Sequence, residues 1–246
     1  MTRVAVLGGH GKTGRSVVAA LEGRGAVGVP LGRADWPDLA GALRGCAAAY
    51  LVAPNLHPDE PAYVAAALDA ARAAGVHRIG YHSVASPYAP SLPHHVGKAV
   101  AEDLVRRSGL DWTILQPGAY LQNLDLADPA RPVRLAYRSD APFGFADLHE
   151  VGEAVATVLL EPGHEGATYE LATRRTSVAE LAAEAGVGVE VVDPQEWAAT
   201  DGAALGERER EWLLAMFAYY DRHGLPVGTV PLSALLGRDA EAARRA

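Results

Sequence analysis

The sequence predicts an α/β protein built on a doubly wound parallel sheet, with a small C-terminal α/β lobe. Three observations predict it. Short apolar runs alternate with helix-spaced segments through about the first half of the chain, the pattern of a parallel sheet wrapped on both faces. A glycine-rich turn, Gly8 to Gly14, joins the first run to the first helix. No low-complexity linker and no internal repeat divides the 246 residues, so one domain, 1–246, is expected, with 1–118 as sheet core and 119–246 mainly a lobe walling a substrate cleft.

The elements follow in order. Residues 4–7 form a short apolar run bounded by glycines, a buried parallel strand. Residues 13–22 carry Val17, Val18 and Leu21 on one helical face. A strand at 27–31, a short helix at 38–43, an apolar strand at 48–53 and a helix at 59–74 come next. A strand at 77–81, a helix at 96–108 and a strand at 112–115 complete the alternation. After Pro117 the rhythm changes. A short helix is expected at 120–126, then a break at Pro129 and Pro132, a weak strand at 133–137, a helix at 149–160 and a strand at 168–172. Ser177 caps a helix at 178–185, with Glu180 at the capping-box position. A strand at 189–192 precedes a strongly amphipathic helix at 207–223, ended by Gly224 and Pro226.

Composition excludes several classes. The net charge is −8, from 30 acidic and 22 basic residues. With no local Lys/Arg cluster, such a surface repels phosphate backbones, so nucleic acid is not an expected partner. The single cysteine, Cys46, leaves no internal disulfide framework and fits a reducing cytoplasm. No apolar stretch approaches the ~20 residues of a membrane span, and the run after Met1-Thr2-Arg3 is too short for a signal core. A cytoplasmic protein acting on a small molecule is expected, with no membrane partner; a homodimer is compatible with its apolar helix faces.

The glycine turn carries the chemistry. Gly9, Gly11 and Gly14 satisfy G-x-G-x-x-G, and Gly8, Gly11 and Gly14 satisfy G-x-x-G-x-x-G. Glycines there give a tight turn, close backbone approach to a pyrophosphate and close helix–strand packing. The helix N-terminus adds unsatisfied N–H groups and a positive dipole end. Lys12 and Thr13 add a charge and a hydroxyl. This is the context of a Rossmann-type nicotinamide-dinucleotide site. A P-loop would need a glycine where Val6 stands, so that reading falls. An acid after the second strand would hold the ribose 2′-OH of NAD, an arginine the 2′-phosphate of NADP. The sequence offers Asp35 and Arg33; Arg33 is closer to the strand end, which favours NADP(H) over NAD(H).

Longer segments carry a resemblance. The turn GGHGKTG, residues 48–54 (AAYLVAP), 75–86, 94–123 and 144–161 together resemble the NmrA-like group of atypical short-chain dehydrogenases. Within that group they resemble the branch of ergot-alkaloid reductases of the festuclavine dehydrogenase type. The resemblance implies that Ala53 and Pro54 border the cofactor, that Ser83 stands at the catalytic serine position, and that Lys98 holds the nicotinamide ribose. The segment 116–120, including Pro117, would pass beside the nicotinamide, with Tyr120 and Asn123 facing substrate. Three departures are visible. His94 replaces the tyrosine of Tyr-x-x-x-Lys, Gln116-Pro117-Gly118 stands for Arg-Pro-Gly, and a stretch between the second strand and Asp35-Trp36 is missing.

Hydride transfer needs a held nicotinamide, an electrophilic carbon and a proton source. His94 or His95 is the candidate source, because histidine titrates near neutrality; His95 also counts among the substrate-facing residues. Ser83 could donate to a carbonyl oxygen. His82, His94 and His95 lack metal-ligand spacing, so no metal is expected. The leading expectation is an NAD(P)H-dependent reductase of a small secondary-metabolite carbonyl, iminium or enone. A non-redox enzyme on the same scaffold (cyclase, isomerase or dehydratase) and an NADP-sensing regulator are the alternatives.

Overall fold

A computed structural model of the chain describes residues 1–238. The first half runs β1 (Arg3–Leu7), α1 (Lys12–Gly23), β2 (Val27–Leu31), a 3-10 helix (Arg33–Asp38), α2 (Leu39–Leu43), β3 (Ala48–Leu51), α3 (Glu60–Ala74), β4 (Arg78–His82), α4 (Pro93–Arg106) and β5 (Asp111–Pro117). There follow β6 (Ala119–Tyr120), a 3-10 turn (Leu121–Asn123), β7 (Val133–Leu135), β8 (Phe143–Ala146), α5 (Leu148–Leu160) and β9 (Ala167–Leu171). The chain continues with β10 (Arg174–Thr176), α6 (Val178–Ala185), β11 (Val189–Val191), α7 (Pro194–Ala199), α8 (Glu207–His223) and α9 (Val230–Leu235). No described helix is long and apolar enough to cross a membrane.

Six parallel strands pair in the order β2-β1-β3-β4-β5-β9. This is the doubly wound order with its outermost strand missing. The chain gap after β2 is therefore real: β2 is the sheet edge, and the 3-10 helix stands where a further strand would begin. The central strands are buried on both faces, which is why they read as continuous apolar runs rather than alternating ones. α1 and α5 cover one face over Val6, Val17 and Val155; α3 and α4 cover the other over Leu7, Val64 and Ile79. α1 and α5 approach closely because Gly152 is a glycine. A Cβ there would lie 2.8 Å from the Ser16 carbonyl oxygen.

The core does not close at residue 118. α5, β9 and α9 all return to the sheet from beyond it, because β5 alone would leave an exposed edge. The lobe is what remains: a three-stranded sheet β10-β8-β6, a two-stranded sheet β11-β7, and α6 to α8 around a third core of Phe143, Phe145, Val178 and Tyr220. The helix expected at 120–126 is instead strand β6 followed by one 3-10 turn. Residues 33–38, outside any expected helix but for the last, form the other 3-10 helix.

Candidate active site

One cavity of about 1060 Å³ opens at the C-terminal ends of β1, β3, β4 and β5, where doubly wound sheets bind ligands. Every candidate site residue read from the sequence lines it: Gly8, Gly11, Lys12, Thr13, Gly14, Arg33, Ala53, Pro54, Ser83, His94, His95, Lys98, Pro117, Tyr120 and Asn123. Lining is not role, and the contacts separate them.

The glycine turn forms its floor. Gly8 takes φ +77°, and a Cβ on Gly14 would lie 2.2 Å from the Gly8 carbonyl oxygen, so these two glycines are required by the turn itself. Gly11 is different. Its Cβ would meet only the Gly8 oxygen, at 3.3 Å, so its missing side chain keeps open the space in front of α1. Gly11 is the N-cap of α1, no side chain caps that end, and no acid lies in the first turn. The N–H groups of Lys12, Thr13 and Gly14 therefore face the cavity without an intrahelical acceptor. These features fit a phosphate. Lys12 Nζ reaches across the cleft to donate to Asn123 Oδ1 (2.8 Å) and the Gln122 carbonyl (3.3 Å). A residue expected on the cofactor and one expected on the substrate are thus joined.

At the end of β2 the two candidate selectors separate. Asp35 Oδ2 accepts the Gly32 N–H (2.7 Å) and so closes the local turn. Arg33 lines the cavity and makes no ion pair or hydrogen bond among the described residues.

In the centre, Lys98 Nζ pairs with Glu60 Oε1 (2.7 Å) and donates to the His82 carbonyl (3.2 Å); both side chains are almost wholly buried. Tyr81 donates to the same Glu60 oxygen (2.7 Å), and burial, then the Glu60 carboxylate, raises its phenol pKa. Ser83 Oγ donates to Glu102 Oε1 at 2.5 Å, alongside Gln116 Nε2 at 2.7 Å, while Arg106 donates to the other oxygen at 2.9 Å. The Ser83 proton is committed to a buried carboxylate rather than offered to a substrate oxygen. The expected catalytic serine thus stands in the cavity lining with its hydroxyl bonded to Glu102. The departure Gln116 has a reason too, since its amide serves Glu102.

A second chain of contacts runs Tyr50 Oη–His82 Nδ1 (2.7 Å) and His82 Nε2–Tyr120 Oη (2.9 Å). The Tyr50 hydroxyl is fully buried, with His82 its only hydrogen-bond partner among the described residues, so it donates to Nδ1. Burial pushes the His82 pKa down to about 3, so the neutral ring carries its one proton on Nε2 and gives it to the Tyr120 oxygen. The Tyr120 proton is then left to point away from His82. The Thr13 hydroxyl lies near that oxygen and offsets part of the rise that burial imposes on the Tyr120 pKa.

Both expected histidine acids are buried. Burial pushes His94 down to about 3 and His95 down to about 4, and the Lys98 charge adds to both shifts. Neither is an imidazolium at neutral pH. His95 Nδ1 lies 3.2 Å from the Ser86 carbonyl, and His94 rests near Trp212 of α8. Glu60, Glu102 and Tyr50 escaped the sequence reading. Each is one of many such residues in the chain, and only the third dimension gives it a partner. His82 carried the one available signal, a histidine at a strand's C-terminal end beside Ser83. Beyond Tyr120 the cavity turns apolar, against Tyr137, Phe143, Phe145, Leu213, Met216 and Phe217.

Comparison with known proteins agrees with this geometry. The family described as NAD(P)H-binding matches residues 31–162, more than half of the chain. An NAD(P)H azoreductase of Xenophilus azovorans is 32% identical over 153 residues, 59% of this chain and 52% of that protein, so the chain spans about half of its length. A (4-alkanoyl-5-oxo-2,5-dihydrofuran-3-yl)methyl phosphate reductase of Streptomyces griseus is 30% identical over 208 residues, 72% of each chain. Among solved structures, an NADPH-dependent quinone oxidoreductase of Escherichia coli complexed with NADPH superposes with TM-score 0.81 at 24% identity, covering 98% of this chain and 99% of that one. At that identity the likeness is one of fold.

Proposed function

We propose that this chain, which belongs to the NAD(P)H-binding family, is an NADPH-dependent reductase of a small, flat, electron-poor substrate. Conjugated carbonyls, iminium ions and enones of the kind found among secondary metabolites make up the class. One observation carries the reading. A single cavity runs from Arg33 and the open N-terminus of α1, past Lys98 and Tyr120, to an aromatic end. That is room for a dinucleotide and an apolar acceptor side by side.

The bound cofactor supplies a hydride. The chain's own residues then have separable tasks. The first-turn N–H groups of α1 take the pyrophosphate, with Gly11 leaving the space. Arg33, unpaired, favours a 2′-phosphate, while Asp35 is already committed to Gly32. Lys98 keeps one N–H beyond its bonds to Glu60 and His82 and offers it to the nicotinamide ribose. Ala53, Pro54 and Pro117 border the ring. Tyr120, with its oxygen held by His82, presents a hydroxyl at the cleft, and Asn123 and His95 line the acceptor's side.

The acid side of the site is weak, and this bears on the substrate. With His94 and His95 neutral and no tyrosine four residues before Lys98, no strong acid is at hand. The acceptor must therefore stabilise its own negative charge after hydride addition, as a conjugated carbonyl does, or start positive, as an iminium does. The name of the azoreductase relative supports such an acceptor, as does that of quinone oxidoreductase 2 of Escherichia coli, 30% identical over 157 residues.

The test is NADPH oxidation, followed at its absorbance, with a naphthoquinone, an azo dye and a cyclic enone as acceptors. Gly11→Asp places a carboxylate in the phosphate space, its Cβ in close contact only with the Gly8 carbonyl oxygen, and should abolish turnover while leaving the melting temperature within a few degrees. No acceptor-dependent oxidation by the wild type, or full activity in Gly11→Asp, contradicts the reading.

A further inference from the structure

The sheet edge at β2 leaves a question for the nucleotide end of the cavity. With no strand beyond β2, something else must wall the space where that strand's loop would lie. The structure puts a six-residue 3-10 helix there, Arg33–Asp38. Side chains three apart in a 3-10 helix lie one above the other. Arg33 and Trp36 are three apart, and both line the cavity.

Trp36 packs against an aromatic neighbour. Its ring lies 4.4 Å, centroid to centroid, from the ring of Tyr63 on α3, and Tyr63 is in turn 5.3 Å from His57. Trp36 and Tyr63 are only half-buried, and both border the cavity. The loop after β3 borders the same space through Asn55 and Leu56. Leu56 holds a left-handed backbone (φ +51°), unusual for a branched residue. An Arg208 N–H from α8 reaches its carbonyl at 3.4 Å. The lining here thus holds an aromatic pair, Trp36 and Tyr63, with the Arg33 guanidinium one helical turn away.

We propose that the Arg33–Trp36 turn reads 2′-phosphoadenosine as one unit: Trp36, braced by Tyr63, stacks on the purine ring while Arg33 meets the 2′-phosphate. This deepens the NADPH reading and rests on it. A single turn thereby takes over from the missing strand and its loop. Stacking suits the task because every purine has a π-face and the platform needs no strand to hold it.

The experiment uses adenosine 2′,5′-bisphosphate, nicotinamide mononucleotide and NADPH on the wild type, Trp36→Phe and Trp36→Ala. Intrinsic tryptophan emission and calorimetry are the two readouts. The bisphosphate should quench part of the wild-type emission, and that part should vanish in Trp36→Phe, which still binds by stacking. Trp36→Ala should weaken the bisphosphate and NADPH by about ten- to a hundredfold, with the mononucleotide unaffected. If Trp36→Ala melts earlier but binds NADPH and the bisphosphate as the wild type does, Trp36 only fills space and the inference falls. If the bisphosphate binds without changing the emission share of Trp36, it falls as well. If the wild type binds neither NADPH nor the bisphosphate, the cofactor reading fails with it, and that outcome is separable from the other two.

Discussion

A carboxylate with no exposed surface needs every donor it can gather, and Glu102 gathers Ser83, Gln116 and Arg106. Ser83→Ala should therefore act on stability rather than on chemistry. The expected outcome is a loss of about 1–3 kcal/mol in urea unfolding, from an under-satisfied buried charge, with kcat within a few-fold of wild type. A thousandfold loss of kcat at unchanged stability would restore Ser83 as a catalyst. His82 is judged by its partners in the same way. His82→Phe breaks the chain from Tyr50 to Tyr120 and leaves the Tyr50 hydroxyl buried without an acceptor. At this scale the sequence revealed which side chains line the cleft, because the motifs carry their spacing. It did not reveal what each touches: Ser83 and Lys98 were legible as positions, whereas Glu60 and Glu102, which commit their hydrogen bonds, were not.

Elements were most legible where their ends are chemically marked. Ser177 caps α6 through the Glu180 N–H, with Glu180 returning the bond to the Ser177 N–H, as the spacing predicts. Ser177→Ala should cost about 1 kcal/mol, seen as a melting temperature lower by a few degrees, with nucleotide affinity unchanged. Of the elements the sequence hid, α7 has such a mark in its Asp193 cap, but the strands β8 and β10 have none. β8 is four residues with a glycine inside, made a strand by pairing with β10 and β6. Gly144 is there because a Cβ would lie 2.4 Å from the Val227 Cβ, a demand set by a segment more than eighty residues away. β10 is polar and three residues long, and α9 begins with a proline in its first turn. Tertiary neighbours, not local propensity, decide these.

Taken whole, the molecule holds three neutral histidines in or beside one cleft, and this sets its response to acid. His82, His94 and His95 titrate at 6.5 when unperturbed but at about 3, 3 and 4 when folded. Between those values the unfolded chain binds protons that the folded chain refuses. Stability is thus complete above pH 6.5 and declines as the pH drops toward 4, by up to about 4 kcal/mol per pH unit if all three rings take part. Unfolding midpoints measured from pH 7 to pH 4 should show that slope, and it should shrink in His94→Asn. The same shifts predict a kcat profile with no inflection near pH 6.5 from His82, His94 or His95. The strand–helix alternation of the doubly wound sheet was legible as far as Pro117, and so was the gap after β2. The return of α5, β9 and α9 to the core was not, because nothing in their own residues names the sheet they join.

The central claim is that this cavity holds NADPH, and calorimetric titration of the purified chain with NADPH and with NADH tests it most directly, with Arg33→Ala alongside. The account predicts NADPH binding with a Kd on the order of micromolar. It also predicts weaker NADH binding and a loss of about ten- to a hundredfold for NADPH alone in Arg33→Ala. No binding heat with either nucleotide at millimolar concentration would contradict it.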